Sequence, residues 1–204
     1  MVPSLFKPNV AKRAAKGDIA GLIRALHYKR DQRVRAAAAR ALGIARAPQA
    51  VPALIKALRD EYQFVRVEAA EALSQIADQD AVNPLVGALE DKNEEVRAIA
   101  AVALGKIGEK QAVPFLVEAL SDEEWRVRRA AAEALGKLRD ARGVPSLIDA
   151  LHDPIHDIRI AAAKSLGELG DLRAVEPLTK LQSDIILPVR TAASIALDKL
   201  TEKQ

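Results

Sequence analysis

The dipeptide Val-Arg, once as Ile-Arg, returns along this chain at Val34-Arg35, Val65-Arg66, Val96-Arg97, Val127-Arg128, Ile158-Arg159 and Val189-Arg190, with a step of 31 residues each time. No other feature constrains the fold as tightly. A fixed period of roughly 20 to 50 residues is the signature of stacked supersecondary units. Each unit is too small to bury its own apolar face and must lean on its neighbours. The repeat therefore predicts an elongated array in place of a globule.

Within a copy, positions counted from the Val show which face is buried. Steps 0, 4, 5, 8 and 11 carry Val127, Ala131, Ala132, Leu135 and Leu138 in one copy and Val96, Ala100, Ala101, Leu104 and Ile107 in another. That spacing is helical and places the apolar residues on one stripe. Small Ala pairs let a neighbouring helix come close, and each fully buried Leu contributes about 2 to 3 kcal/mol. Step 9 is Gly43, Gly105, Gly136 and Gly167 in four copies. A helix-interior Gly costs about 1 kcal/mol relative to Ala, so its recurrence implies tight helix contact there.

A second helix per copy reads from VPALIKAL at Val51, VNPLVGAL at Val82, VPFLVEAL at Val113, VPSLIDAL at Val144 and VEPLTKLQ at Val175. Pro52, Pro114 and Pro145 fall in the first turn, where the missing N–H costs nothing. Asp78, Asp140 and Asp171 are positioned to cap these helices, and Asp60, Asp91, Asp122, Asp153 and Asp184 to cap the Val-Arg helices. Ser121 with Glu124 has the spacing of a capping box, and Pro154 suits a first helical position. The first copy has one extra residue in this turn, at HYKRDQ, and the last places Thr179 and Gln182 where other copies are apolar.

These patterns predict an all-α superhelix, or solenoid, of six 31-residue hairpins. The expected boundaries are a cap at 1–17 and repeats at about 18–46, 47–77, 78–108, 109–139, 140–170 and 171–204, forming one continuous domain. Composition agrees: aromatic residues are 3% of the chain, and charged residues are 29%. The chain has no cysteine, which excludes disulfides, thiolate metal sites and cysteine nucleophiles. That absence suits a reducing cytoplasm, the expected location, or a heat-loving source. The opening MVPSLFKPNVAKRAAKG lacks the apolar core of a secretion signal. The net charge of +3 conceals a basic amino-terminal end, where residues 1–46 hold eleven Lys or Arg and two Asp.

The pattern D-x4-V-R-x2-A-A-x-A-L-G, followed by A-V-x-P-L-I-x-A-L, resembles the short HEAT-like repeats first associated with phycobilisome bilin lyases and seen in designed helical-repeat binders. The resemblance implies antiparallel helix pairs in a right-handed superhelix with the Val-Arg helices on its concave side. Ser74, Ala77, Asn83 and the last copy depart from an idealised consensus, and natural and designed origins both stay open. Related deoxyhypusine hydroxylases carry paired His-Glu motifs, and this chain has no His-Glu dipeptide. Related DNA glycosylases surround an extruded base with aromatic residues, whereas Trp125 is the only Trp here.

Steps −2, −1, 2, 3, 6 and 10 vary most between copies and are expected on the solvated face. Across the central copies they supply Phe64, Val67, Ile99, Val102, Trp125, Arg126, Arg129, Glu133, Ile160 and Lys164. Bulky apolar residues rimmed by charge mark interaction surfaces, and Trp and Arg are enriched at binding hot spots. The expectation is a non-catalytic scaffold that binds a protein partner through its concave groove, along this face. The plainer alternative for Phe64 and Trp125 is edge core. Other readings are a bilin-lyase-like accessory protein, from the resemblance, and nucleic-acid binding through the basic end. Arg35, Arg66, Arg97, Arg128, Arg159 and Arg190 form a structural ladder with the turn aspartates Asp60, Asp91, Asp122, Asp153 and Asp184 more readily than a phosphate site, since repetition at the fold's own period argues for architecture. His152 and His156 are separated by Pro154 and a turn, so no metal or other cofactor is expected.

Overall fold

A helix with one apolar stripe is stable only against another, and in this chain each stripe finds its partner in the hairpin and then in the next copy. The computed structural model describes residues 7–201; the first six positions of the expected cap and the last three of the expected sixth repeat lie outside them. The helices are α1 (Val10–Ala15), α2 (Ile19–Leu26), α3 (Gln32–Ile44), α4 (Val51–Ala57), α5 (Gln63–Ile76), α6 (Val82–Ala88) and α7 (Glu94–Ile107). They continue as α8 (Val113–Ala119), α9 (Trp125–Leu138), α10 (Val144–Asp149), α11 (His156–Leu169), α12 (Val175–Leu181) and α13 (Leu187–Thr201). No strand occurs among the described residues. The fold is an all-α helical-repeat solenoid, with short 3-10 turns leading into α4, α6, α8, α10 and α12.

Contacts group the chain into two compact units, one ending at Ala103 and one beginning at Leu104, so the division falls within α7. In the first unit Asn9 caps α1, its Oδ1 accepting from the Lys12 amide, and Gly17 turns the chain with φ of 64°. Asp18 then caps α2, accepting from the Gly21 amide at 2.8 Å. Leu22 and Leu26 of α2 are buried against α3, whose Val34, Ala38, Ala39 and Leu42 are buried in turn. Between α3 and α5 the backbones approach so closely that a Cβ on Gly43 would lie 2.7 Å from Ala72 Cα.

The second unit repeats the scheme. Val127, Ala131, Ala132, Leu135 and Leu138 of α9 are all buried. A Cβ on Gly136 would meet Ser165 at under 3 Å, while the Ser165 hydroxyl donates to the Ala132 carbonyl at 2.8 Å. That bond satisfies a hydroxyl which would otherwise be costly to bury. Two solutions to the same close approach therefore occur, Gly on Ala and Gly on Ser.

Several local expectations need correction. The aspartates before the Val-Arg helices do not bond helix amides. Asp60, Asp91, Asp122, Asp153 and Asp184 each accept from the amide two residues on, at Tyr62, Asn93, Glu124, Ile155 and Ile186, making a turn before the helix begins. Glu124 occupies the N-cap of α9 without a side-chain cap bond, so the Ser121 and Glu124 capping box does not form. Pro154 lies in the turn, and α11 starts at His156. Asp78, Asp140 and Asp171 cap the 3-10 turns, accepting from Asp80, Arg142 and Arg173 amides, and not the α-helices that follow.

Candidate functional site

The ladder arginines come first because their geometry sets the distance between copies. Arg35 donates from Nε and Nη2 to both oxygens of Asp60, at 2.7 and 2.9 Å. Its Nη1 turns back to the Tyr28 carbonyl of its own copy, at 3.0 Å. Arg66 repeats this with Asp91 and the Asp60 carbonyl, Arg128 with Asp153 and the Asp122 carbonyl, and Arg159 with Asp184 and the Asp153 carbonyl. The carboxylate thus comes from the following copy, and the preceding turn supplies a carbonyl instead. Arg97 and Arg190 donate to the Asp91 and Asp184 carbonyls of their own turns.

One guanidinium fork ties two copies through parallel charge-assisted bonds. Burial alone would raise the Asp60 carboxyl, but the bonds from Arg35 and from the Tyr62 amide outweigh it and hold it below the usual carboxylate range. The bond from Arg159 lowers Asp184 likewise. Donors spent in this way are not presented to a phosphate, and Arg66 is only 4% exposed.

The variable positions split. At step 3, Glu68, Ala130, Ala161 and Ala192 are buried, Ile99 is half-buried and Ala37 is exposed, so in four copies that position belongs to the seam and not to the solvated face. Val67, Ile99, Val102, Trp125 and Ile160 are half-buried, whereas Phe64 is 64% exposed. Helix stacking explains the difference: the stripe is wide enough to bring steps 2, 3 and 6 to the edge of the neighbouring helix. Arg126, Arg129, Glu133 and Lys164 are exposed.

In the first unit Arg40 of α3 reaches across to Glu68 of α5, with donors from both Nε and Nη2. Among the described residues, Glu133 at the Arg40 position of α9 pairs with Arg129 of its own helix and not with α11. A cleft of about 540 Å³ opens there, lined by Arg129, Glu133 and Lys137 from α9 and by Asp157, Ile160 and Lys164 from α11, among others. Beside it, the Arg126 and Arg129 guanidinium carbons lie 4.8 and 5.9 Å from the Trp125 ring centroid. The structure therefore brings Arg129, Glu133, Ile160 and Lys164 into one cleft, with Trp125 next to Arg129 and Arg126 against the Trp125 ring, both outside the lining. Phe64, Val67, Ile99 and Val102 lie in the other unit. Lys137 and Asp157 were not singled out from sequence, although both stand at steps that vary between copies.

His152 is exposed in the turn after α10, and His156 Nδ1 lies 3.2 Å from Asp157. Among the described residues no three His, Cys, Asp or Glu side chains group as metal ligands. No helix among them is long and apolar enough to cross a membrane.

The model for HEAT repeats matches residues 19–98, 82–158 and 120–198, nearly the whole chain. The chain belongs to the HEAT-repeat family. An engineered protein solved by crystallography is similar to these HEAT repeats over 91% of the chain and 97% of its own, with 26% identity and a TM-score of 0.69. The complex of CpcE and CpcF of phycocyanin lyase from Nostoc sp. is similar over 96% of the chain and 79% of its own, with 27% identity and a TM-score of 0.58. A designed armadillo repeat protein in complex with the peptide (KR)4 shares the fold over 90% of the chain and 99% of its own, with 23% identity and a TM-score of 0.66. No curated protein sequence matches the chain.

Proposed function

We propose that this HEAT-repeat chain is a non-catalytic scaffold that binds a protein partner, and that the second unit takes an extended stretch of that partner in the cleft between α9 and α11. The cleft itself carries the reading. Ile160 supplies an apolar floor, while Arg129, Lys137 and Lys164 alternate with Glu133, Asp157 and Glu168 around it. Walls of mixed sign suit a peptide, which presents donors and acceptors together. A nucleic acid would face three carboxylates. Trp125 adds a rigid anchor at low entropic cost. In the first unit, exposed Phe64 with half-buried Val67 serves the same purpose, with Ile99 and Val102 further along.

Selecting peptides against the full chain from a displayed library tests this. Selected peptides are expected to bind with about tenfold lower affinity to Trp125→Ala and to Ile160→Ser, losses of the size hot-spot truncations give. Lys164→Glu should change which charges the peptides carry. Equal affinity for all three variants, with unchanged melting, sinks the cleft as the binding site.

The likeness to the phycocyanin lyase complex supports a second reading, an accessory part in bilin attachment. Mixing the chain with a bilin and its apoprotein should then change the bilin absorbance, and an unchanged spectrum removes this reading. With no cysteine to protect, either role fits a reducing compartment such as the cytoplasm.

A further inference from the structure

We propose that the cleft formed by α1, α2 and the turn into α3 binds a small organic phosphate of about mononucleotide size. The first observation is a break in the repeat. Five residues before the Val, later copies carry Asp60, Asp91, Asp122, Asp153 and Asp184, whereas the longer first turn carries Lys29. In the fold Tyr28 takes the place of Asp60, its carbonyl accepting from Arg35 as the Asp60 carbonyl accepts from Arg66, so the first turn offers no carboxylate there and follows it with Lys29 and Arg30. Asp31, the displaced carboxylate, caps α3 through the Arg33 amide at 2.9 Å and pairs with Lys7 at 2.8 Å.

The second observation is the cleft. It measures about 560 Å³, and its walls include Lys7, Arg13, Arg24, Lys29 and Arg30 but no carboxylate. Three other clefts each carry two or more acidic side chains, among them Asp60 with Asp91, Asp60 with Glu61, and Glu133 with Asp157. Lys7 and Arg13 are paired with Asp31 and Asp18. Arg24, Lys29 and Arg30 form no ion pair among the described residues and remain to receive an anion. The turn is held in place, because the Tyr28 carbonyl accepts from Arg35, itself clamped by Asp60.

The chemistry selects the ligand. Two guanidinium forks and an ammonium match the oxygens of a phosphate monoester. Tyr28, Pro8 and Ala25 line the same cleft and offer apolar surface for the group the phosphate carries. A volume of this size is typical of small-molecule sites.

The test is calorimetric titration of the full chain with AMP and with phenyl phosphate, with adenosine, inorganic phosphate and a single-stranded oligonucleotide as separate arms. One phosphate monoester is expected to bind per chain, with adenosine and inorganic phosphate each at least about tenfold weaker, since each supplies only part of the contact. The Arg24→Gln, Arg30→Gln double variant should lose AMP affinity by about tenfold or more while melting as the parent does. Lys29→Asp, which sets a carboxylate beside the two guanidiniums, should lose it too. The proposal is overturned if neither monoester binds, if adenosine binds as well as AMP, if inorganic phosphate alone binds as tightly, or if only the oligonucleotide binds, which would make the cleft a polyanion surface.

Discussion

Between α3 and α5, Arg40 stands at step 6 of its copy and meets Glu68 at step 3 of the next. Between α9 and α11, step 6 is Glu133 and step 3 of the next copy is Ala161. Among the described residues Glu133 then has no charged partner across the seam and pairs with Arg129 of its own helix at 3.4 Å. Beneath these surfaces the two seams are alike: Gly43 lies against Ala72 as Gly136 lies against Ser165, and Arg35 clamps Asp60 as Arg128 clamps Asp153. The same packing register thus carries a strut in one unit and an open cleft in the other. Residues that fix the spacing repeat, and two variable positions decide whether the surface is closed.

If the seams are equivalent, removing their clamps should cost the same in both. Asp60→Ala and Asp153→Ala each strand a guanidinium that is at most 15% exposed, and each should destabilise by about 3 kcal/mol. Chemical denaturation, followed by probes local to each unit, measures this, and a clear inequality would break the equivalence. Acid should act on the Asp60 clamp and on two further carboxylates. Asp60 and Asp184 are held below their ordinary value, and the bond from Arg142 holds Asp140 down at about 2. A carboxyl lowered on folding adds stability that is complete above its unfolded value of about 4 and disappears as pH falls through the folded one. Melting temperature is therefore expected to fall between about pH 4 and pH 2 and to stay level just above that window.

The next effect in size separates the seams slightly. A methyl at Gly43 meets the backbone Cα of Ala72 at 2.7 Å, while one at Gly136 meets the Ser165 backbone Cα at 2.9 Å and the Ser165 hydroxyl as well. Gly43→Ala should destabilise by about 2 kcal/mol, the overpacking penalty less the gain in helix propensity. Gly136→Ala should cost at least as much, because a displaced Ser165 hydroxyl also gives up its bond to the Ala132 carbonyl, and a smaller loss would show that this seam is the looser one.

The fold was legible because a helical stripe and its period are written in the same few residues, Val127, Ala131, Leu135 and their counterparts. Even the step-9 contact could be anticipated, since Gly43 and Gly136 are conspicuous against helix propensity. The variable face was only partly legible. Counting steps on one helix places Ile99 and Ile160 in solvent, but their exposure depends on the width of the neighbour, which a single helix does not encode. Glu68 shows this best, a charged residue at step 3 that is buried because Arg40 of another copy covers it. The turn aspartates depart from the expected helix capping for a related reason. Asp60 has two oxygens, and sequence does not reveal that one of them accepts from a turn amide of its own copy while both serve Arg35 of the preceding copy.

The smallest effect bears directly on strut and cleft. Arg40 is two-thirds exposed, so solvent screens its attraction for Glu68, but Glu68 itself is 12% exposed and would be left without its guanidinium. Arg40→Gln should therefore cost about 1 kcal/mol. Arg129 and Glu133 are each nearly half exposed and lie four residues apart on one helix, so Arg129→Gln should cost no more than about 0.5 kcal/mol. Installing the strut gives the sharper arm. Ala161→Glu with Glu133→Arg recreates in the second unit the step-6 and step-3 pair of the first, and should restrict the α9 and α11 cleft while leaving stability within about 1 kcal/mol of the parent. A cleft that still accepts its peptide in that variant would mean that the missing strut is not what keeps the surface open.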